Sequence, residues 1–369
     1  MEFSFLSMEW PSMLDTFRID QLVIIGVILA LVFVVMMLVI YALILRISFN
    51  RKARYIARKR DFWETVLLEY LTGMREKVSR SAMGLKEKDW VIFGEFIEQY
   101  LLDLESEEYD RIIRLLWNVG YHEILMNALS SRNMWLKEYA IYYIGLMKYS
   151  PASPDLRYLV YDKSPSVSLM AFEALCKIGN RQHLPHIIKN ILNKEDINRA
   201  KVFDIILEYG SGIIPDMIVL LDDKEVTDSG KQLIVDVLGF HNAIESTETV
   251  LKLAHKTDDE ELKIRCIKAL GIFGDTVSYD FLHDSFLSPN WVVRSQAVKA
   301  LGSIASDDII PELCEMLVND DNSMVKSYCA RTLLTFGDKG WRELETLLSL
   351  HADSRVSEII NSVLSEDKG

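Results

Sequence analysis

A small or aliphatic residue returns along this chain at nearly constant spacing: Ala140, Ala171, Val202, Ile234, Cys266, Ala297, Cys329 and Ile360, at intervals of 31 or 32 residues. Four residues after each mark stands an aliphatic one: Ile144, Leu175, Ile206, Leu238, Leu270, Leu301, Leu333 and Leu364. Four before, six of the eight positions are aliphatic, with Asn198 and Gly230 as departures. Spacing of four, with a further mostly apolar position at seven, puts these residues on one face of a helix. Pro154, Pro185, Pro215 and Pro311 precede apolar stretches thirteen or fourteen residues after a mark. Proline suits the first turn of a helix, where its missing N–H has no helical partner to lose. Turns rich in Asp, Asn and Ser (LDDKE, KTDDE, NDDNS) then lead to the marked helix. The unit is helix–turn–helix. One pair cannot bury its own stripe, so pairs must stack with a continuous core.

A different pattern precedes the repeat. Residues 22–45 read LVIIGVILALVFVVMMLVIYALIL, without a charge. Helical, they would extend roughly 36 Å, against about 30 Å of bilayer hydrocarbon. Eighteen of the 24 are Leu, Ile, Val or Phe, which favours insertion by roughly 5–11 kcal/mol. A cleaved signal peptide would have a shorter apolar core, a basic stretch before it and a small-residue cleavage site after it. Here the preceding residues are mainly acidic and the following ones basic. Residues 46–60 carry seven Lys or Arg, among them Arg51, Lys52, Arg54, Arg58, Lys59 and Arg60, and no acid. The expectation is a retained span with 1–21 outside, everything after residue 46 cytoplasmic, and the basic stem 46–60 against anionic lipid. Residues 61–104 form two amphipathic segments outside the period and are expected to cap the array, leaving 105–365 as repeats and 366–369 as a tail.

The repeat resembles the HEAT family in its short form of about thirty residues. VVRSQAVKALGSIA (292–305), LKIRCIKALGIFGD (262–275) and MVKSYCARTLLTFGD (324–338) carry the likeness. It implies an α-α superhelix, which with the apolar run at 22–45 makes the expected fold all-α: a single N-terminal transmembrane helix followed by that superhelix. Asn198 and Gly230 suggest looser packing or a bend in two repeats. The likeness is specific for fold and weak for function, since the family carries many tasks on one architecture.

Charge changes the picture next. Residues 61–369 hold 33 basic and 50 acidic residues, so the repeat part opposes a phosphate backbone and no nucleic-acid partner is expected. Yet the residue three before each mark is basic in six of eight repeats: Lys137, Arg199, Lys231, Lys263, Arg294 and Lys326. The resemblance implies pairing with acids of neighbouring turns, such as Asp258, Asp259, Asp320 and Asp321. A cationic groove for an acidic or phosphorylated ligand is the alternative. Nine aromatics fall within 117–161, and Trp135, Tyr139, Tyr142 and Tyr143 share a helix face. They are candidates for a partner interface, with packing against the cap as the alternative.

Chemistry is not marked. Cys176, Cys266, Cys314 and Cys329 form no CxxC pair and lie in apolar helical contexts, which reads as core burial. His183 and His186 flank a proline without a completing ligand set. GSG at 210–212 lacks the third glycine and the strand of a dinucleotide loop. No cofactor or metal is expected. The function expected is a non-enzymatic, membrane-anchored scaffold binding a membrane-associated protein, for example as an accessory subunit of an enzyme complex in envelope polysaccharide synthesis. The alternative is an enzyme like the bilin lyases that share this type of repeat.

Overall fold

The computed structural model describes residues 11–103, 107–179, 183–304, 307–351 and 354–366, with side chains from residue 23 onward. Residues 1–10 of the expected outer segment 1–21, residues 367–369 of the expected tail 366–369, and the cap–array boundary at 104/105 lie outside the described residues. Among the described residues there are nineteen α-helices and no strand. The chain divides into two compact units, Met1–Tyr121 and His122–Gly369.

The first unit contains α1 (Pro11–Leu71), α2 (Trp90–Asp103) and α3 (Glu107–Asn118). Helix α1 does not stop where the apolar run ends. It continues through 46–60 and supplies the first helix of the segment expected as a cap, so span, stem and cap helix are one element. No glycine or proline interrupts residues 27–71, and nothing in that stretch removes a helical hydrogen bond. Side chains from Val23 to Leu45 are exposed, and the helix is long and apolar enough to cross a membrane.

The C-terminal part of α1 is held by its own small core. Trp63 is fully buried, edge-on to Phe93 with ring centroids 5.2 Å apart, and Phe93 in turn meets Tyr121 at 5.6 Å. Trp63 Nε1 donates to the Met83 carbonyl at 2.9 Å. Beside this lies Asp89, wholly buried. The Tyr55 hydroxyl donates to its Oδ1 at 2.6 Å, and Lys59 Nζ lies 3.1 Å from its Oδ2 while also donating to the Gly84 carbonyl at 2.6 Å. Burial pushes the Asp89 carboxyl up, but the Tyr55 hydroxyl and the Lys59 ammonium together hold it below its ordinary value.

The second unit alternates two sets of helices. The first helices are α4 (Tyr121–Leu129), α6 (Ser153–Leu159), α8 (Leu184–Leu192), α10 (Ile214–Leu221), α12 (Thr247–Lys256), α14 (Tyr279–Phe286), α16 (Ile310–Asn319) and α18 (Asp338–Leu350). The second helices are α5 (Met134–Leu146), α7 (Pro165–Ile178), α9 (Arg199–Tyr209), α11 (Asp228–Phe240), α13 (Glu260–Phe273), α15 (Trp291–Ile304), α17 (Ser323–Thr335) and α19 (Arg355–Glu366). Every one of the eight marks lies on a second helix and is buried. The prolines at 154, 185, 215 and 311 sit in the first turn of first helices. Asn133, Ser164, Asn198, Thr227, Asp259 and Asn322 cap second helices through their side chains, which satisfies N–H groups that a helix start leaves open.

The two departures have local reasons. Asn198 is the cap of α9, and its neighbour Ile197 takes the buried place. Gly230 is not loosely packed: a Cβ there would lie 2.9 Å from Val226 Cγ1 and 3.2 Å from Leu192 Cβ.

Second helices approach most closely where glycine stands five residues after the mark. A Cβ on Gly271 would fall 2.7 Å from Ala300 Cα, and one on Gly302 would fall 2.5 Å from Thr332 Cγ2. Turns are then tied by charge. Arg294 lies on the carboxylate of Asp320 with two bonds, Nε to Oδ2 at 2.7 Å and Nη2 to Oδ1 at 3.0 Å. Its Nη1 donates to the carbonyls of Ser288 and Pro289. One guanidinium thus fastens α15 to its own leading turn and to the turn of the next repeat.

Three outcomes follow. Asp89→Asn should destabilise the first unit by about 2–3 kcal/mol, read by denaturant titration of Trp63 fluorescence. Because the folded carboxyl is held low, its contribution is complete above the usual carboxylate range. It drains as pH falls below about 4, so the variant should show a flatter acid limb than the parent. Gly271→Val should cost about 1–3 kcal/mol despite the better helix propensity, since backbone rather than a movable side chain blocks it. Arg294→Ala should cost about 3 kcal/mol by leaving a nearly buried carboxylate unpaired, with Arg294→Lys recovering only part because it loses the fork; thermal unfolding by circular dichroism checks both.

Candidate protein-binding groove

The basic residues three before each mark do not form one free row. Lys137 pairs with Asp162 at 3.3 Å, and Arg294 with Asp320 as described. Arg199 Nη1 donates to the Ser229 carbonyl at 2.7 Å, and Lys326 Nζ to the Val318 carbonyl at 2.7 Å. Lys263 lies over the ring of Phe281, 5.8 Å from its centroid. Lys231 adds to the field, led by the direct Lys189 contact, that holds the Asp223 carboxyl below its ordinary value. Among the stem residues, Lys59 belongs to the Asp89 cluster and Arg60 lies 3.7 Å from Glu95, while Arg51, Lys52, Arg54 and Arg58 are exposed.

The aromatic face of α5 is a stack that runs from the surface inward. Trp135 is 53% exposed and meets Tyr139 at 5.5 Å; Tyr139 meets Tyr143 at 4.4 Å; Tyr143 is buried, with Tyr142 edge-on to it at 5.2 Å. The structure therefore joins these four residues, with Trp135 at the open end.

A separate feature lies at α9. Five residues after the mark, α5, α11, α13 and α15 carry Gly145, Gly239, Gly271 and Gly302, which meet Ala174, Ala269, Ala300 and Thr332 of the following second helix. At the same position α7 has Cys176 and α9 has Leu207. Larger side chains hold backbones apart, and α9 packs less closely against α7 and α11 than the other internal second helices pack against one another. Hollows open on both sides of it. The smaller one, about 400 Å³, lies between α7 and α9 and is lined by Glu173, Cys176, Ile205 and Tyr209 among others. The larger, about 580 Å³, runs across α9, α11 and α13.

That larger groove combines apolar and charged walls. Phe203, Leu233, Phe240 and Ile272 line it, with Phe240 66% and Ile272 46% exposed. Phe203 and Phe240 meet edge to face at 6.2 Å. Arg265 pairs with Asp236 and, at 2.9 Å, with Glu261. Burial pushes the Asp236 carboxyl above its ordinary value even with that guanidinium beside it. Arg265 Nε is buried with no hydrogen-bond partner among the described residues. Of the sequence-based candidates, only Arg199 lines this groove. Phe240 and Ile272, six residues after their marks, were outside the expected set. The signal that could have found them is the interruption of the glycine series at Cys176 and Leu207.

No group of three His, Cys, Asp or Glu among the described residues could hold a metal ion. Burial raises all four thiols, that of Cys266 to about 12 and that of Cys314 to about 11, the opposite of what a reactive cysteine needs.

Residues 285–365 match the family model of HEAT repeats. No curated protein matches the sequence. Among solved structures, the chain is similar to Kap121p bound to Nup53p, with 15% identity over 76% of this chain and 37% of that one, at a TM-score of 0.47. Human deoxyhypusine hydroxylase in complex with glycerol gives 18% identity over 68% of this chain and 97% of that one, at 0.30. An engineered protein gives 18% over 85% and 95%, at 0.36. The chain thus spans little more than a third of Kap121p. Residues 285–365 thus carry HEAT repeats, and the same buried register and helix pairing continue from there back to α5.

Proposed function

We propose that this chain is a membrane-anchored scaffold whose repeat unit binds a protein partner on the face formed by its second helices. The observation that carries the reading is the groove beside α9, where large apolar side chains stand open to solvent within a unit that buries nearly all of its repeat stripe. Exposed aromatic and branched residues in a hollow rimmed by charge are what the centre of a protein interface needs. The hollow is made by a local break in the packing rule, so it belongs to the backbone and not to one movable side chain.

Anchoring is the second part of the proposal. Outward-facing apolar side chains from Val23 to Leu45 find no cover within the chain, and a bilayer is the solvent that matches a helix of this length. The exposed Arg51, Lys52, Arg54 and Arg58 follow directly; the bias they create supports a cytoplasmic side for the repeats.

The test uses the full chain in its native membrane. A photo-crosslinking residue at Phe240 or Ile272 should give one discrete adduct of the same mass difference. The same residue at Val219 or Val277, exposed on or beside first helices, should give none. The chain should stay in the membrane fraction after carbonate extraction. Adducts equal at all four positions, or none at any, would count against a partner in the groove, and release by carbonate would remove the anchor.

A further inference from the structure

In the six internal repeats the residue two after the mark shows an ordered reversal of charge. It is Glu173, Asp204 and Asp236 on α7, α9 and α11, then Lys268, Lys299 and Arg331 on α13, α15 and α17. These positions follow one another along the face formed by the second helices, so the sign changes between α11 and α13. Three of these six charges are engaged in ion pairs. Glu173 meets Lys177 at 2.8 Å and Lys201 at 3.6 Å, Asp236 meets Arg265, and Arg331 meets Glu366. Two cations are not matched by carboxylates. Lys268 is exposed and has no hydrogen bond or ion pair among the described residues. Lys299 is exposed and its ammonium rests over the ring of Tyr328, 3.8 Å from the centroid.

These two lysines share a second hollow of about 410 Å³ between α13 and α15, lined also by Gln296 and Ser303 and by no acid. It has Lys268 and Ile272 in common with the groove beside α9. The two hollows adjoin as a trough, apolar at Phe203, Phe240 and Ile272, with Asp204 and Asp236 on the side of α9 and Lys268 and Lys299 on the side of α15.

We infer that this trough binds an extended or helical partner segment in one direction, seating an apolar side chain between Phe240 and Ile272 and placing carboxylates on Lys268 and Lys299. The inference rests on the scaffold reading above and adds the chemistry and polarity of the occupant. Charge complementarity selects it. Two ammonium groups with amide and hydroxyl donors beside them offer sites to carboxylates, while the adjoining groove offers Phe240 and Ile272 to an apolar group and holds its Asp236 carboxylate against Arg265. A nucleic acid or an anionic lipid surface would bring many more negative charges to a unit that is itself strongly acidic. A short acidic segment with an apolar anchor avoids that repulsion.

The experiment uses the full chain in nanodiscs of zwitterionic lipid and fluorescein-labelled model peptides. The probe carries two aromatic residues followed by four glutamates. Comparison peptides carry four lysines, four glutamates with serines in place of the aromatics, or the reversed order. The first peptide should bind and the other three should bind at least about tenfold more weakly. Lys268→Glu/Lys299→Glu should abolish that preference and transfer it to the lysine peptide. Lys268→Gln/Lys299→Gln, checked for unchanged helicity, should weaken the acidic peptide without strengthening the basic one. Added salt should weaken it as well. Equal binding of the acidic and basic peptides, indifference to charge reversal at 268 and 299, or tighter binding of anionic vesicles through the same lysines would overturn the inference. If the peptides fail while the Phe240 adduct persists, the stated polarity is wrong and the scaffold stands; if both fail, both readings fall.

Discussion

The structure depends on the burial of a narrow stripe that no single helix pair can cover. Each mark, and nearly every aliphatic residue four positions away, is removed from water only because the next pair lies against it. At about 25 cal/mol per Å² of apolar surface, each added pair strengthens its predecessor, and an end exposes what the interior hides. This is why the period holds so tightly in the sequence: a residue more or less would turn the stripe away from its neighbour. Arg294 with Asp320, and the small residues that let α13 meet α15, refine a register that burial has already set.

The exception at α9 is governed by the same constraint. Cys176 and Leu207 occupy places where α5, α11, α13 and α15 have glycine, so the helices stand further apart, and space opens between them. The stripe beneath stays buried: Val202 and Ile206 are as enclosed as their counterparts. Core and surface are thus separable. The chain holds its fold with one set of positions and shapes a groove with another set, only a few residues further along the same helices.

Most of the fold was legible because it is periodic, and periodicity survives the loss of three-dimensional information. Helix pairing, the buried marks and the proline-led first helices could all be read in advance. Asn198 and Gly230 pointed to looser packing in their two repeats, and α9 does pack loosely against α11; the residues themselves are a cap and a tight contact against Leu192 and Val226, so the looseness arises elsewhere on these helices. The continuity of α1 was also hidden, because a change from apolar to basic residues looks like a boundary although the backbone has no reason to stop. The candidate site was less legible still. Basic residues before the marks drew the eye as a row, but most are held by carboxylates or carbonyls of adjacent turns. The open groove came from spacing between helices, which depends on the size of one side chain at each interface.

Helix α1 carries a mechanical consequence. Its 61 residues amount to a rod of about 90 Å, and the clamp formed by Tyr55, Lys59 and Asp89 grips it about 20 Å beyond the last residue of the apolar run. There is no slack joint in between. Were the apolar end seated in lipid as proposed, any twist or lean imposed on it there would reach the clamp as torque, and the core around Trp63 would turn with it. A flexible leash would isolate that core from such a load; a rod would make it a follower.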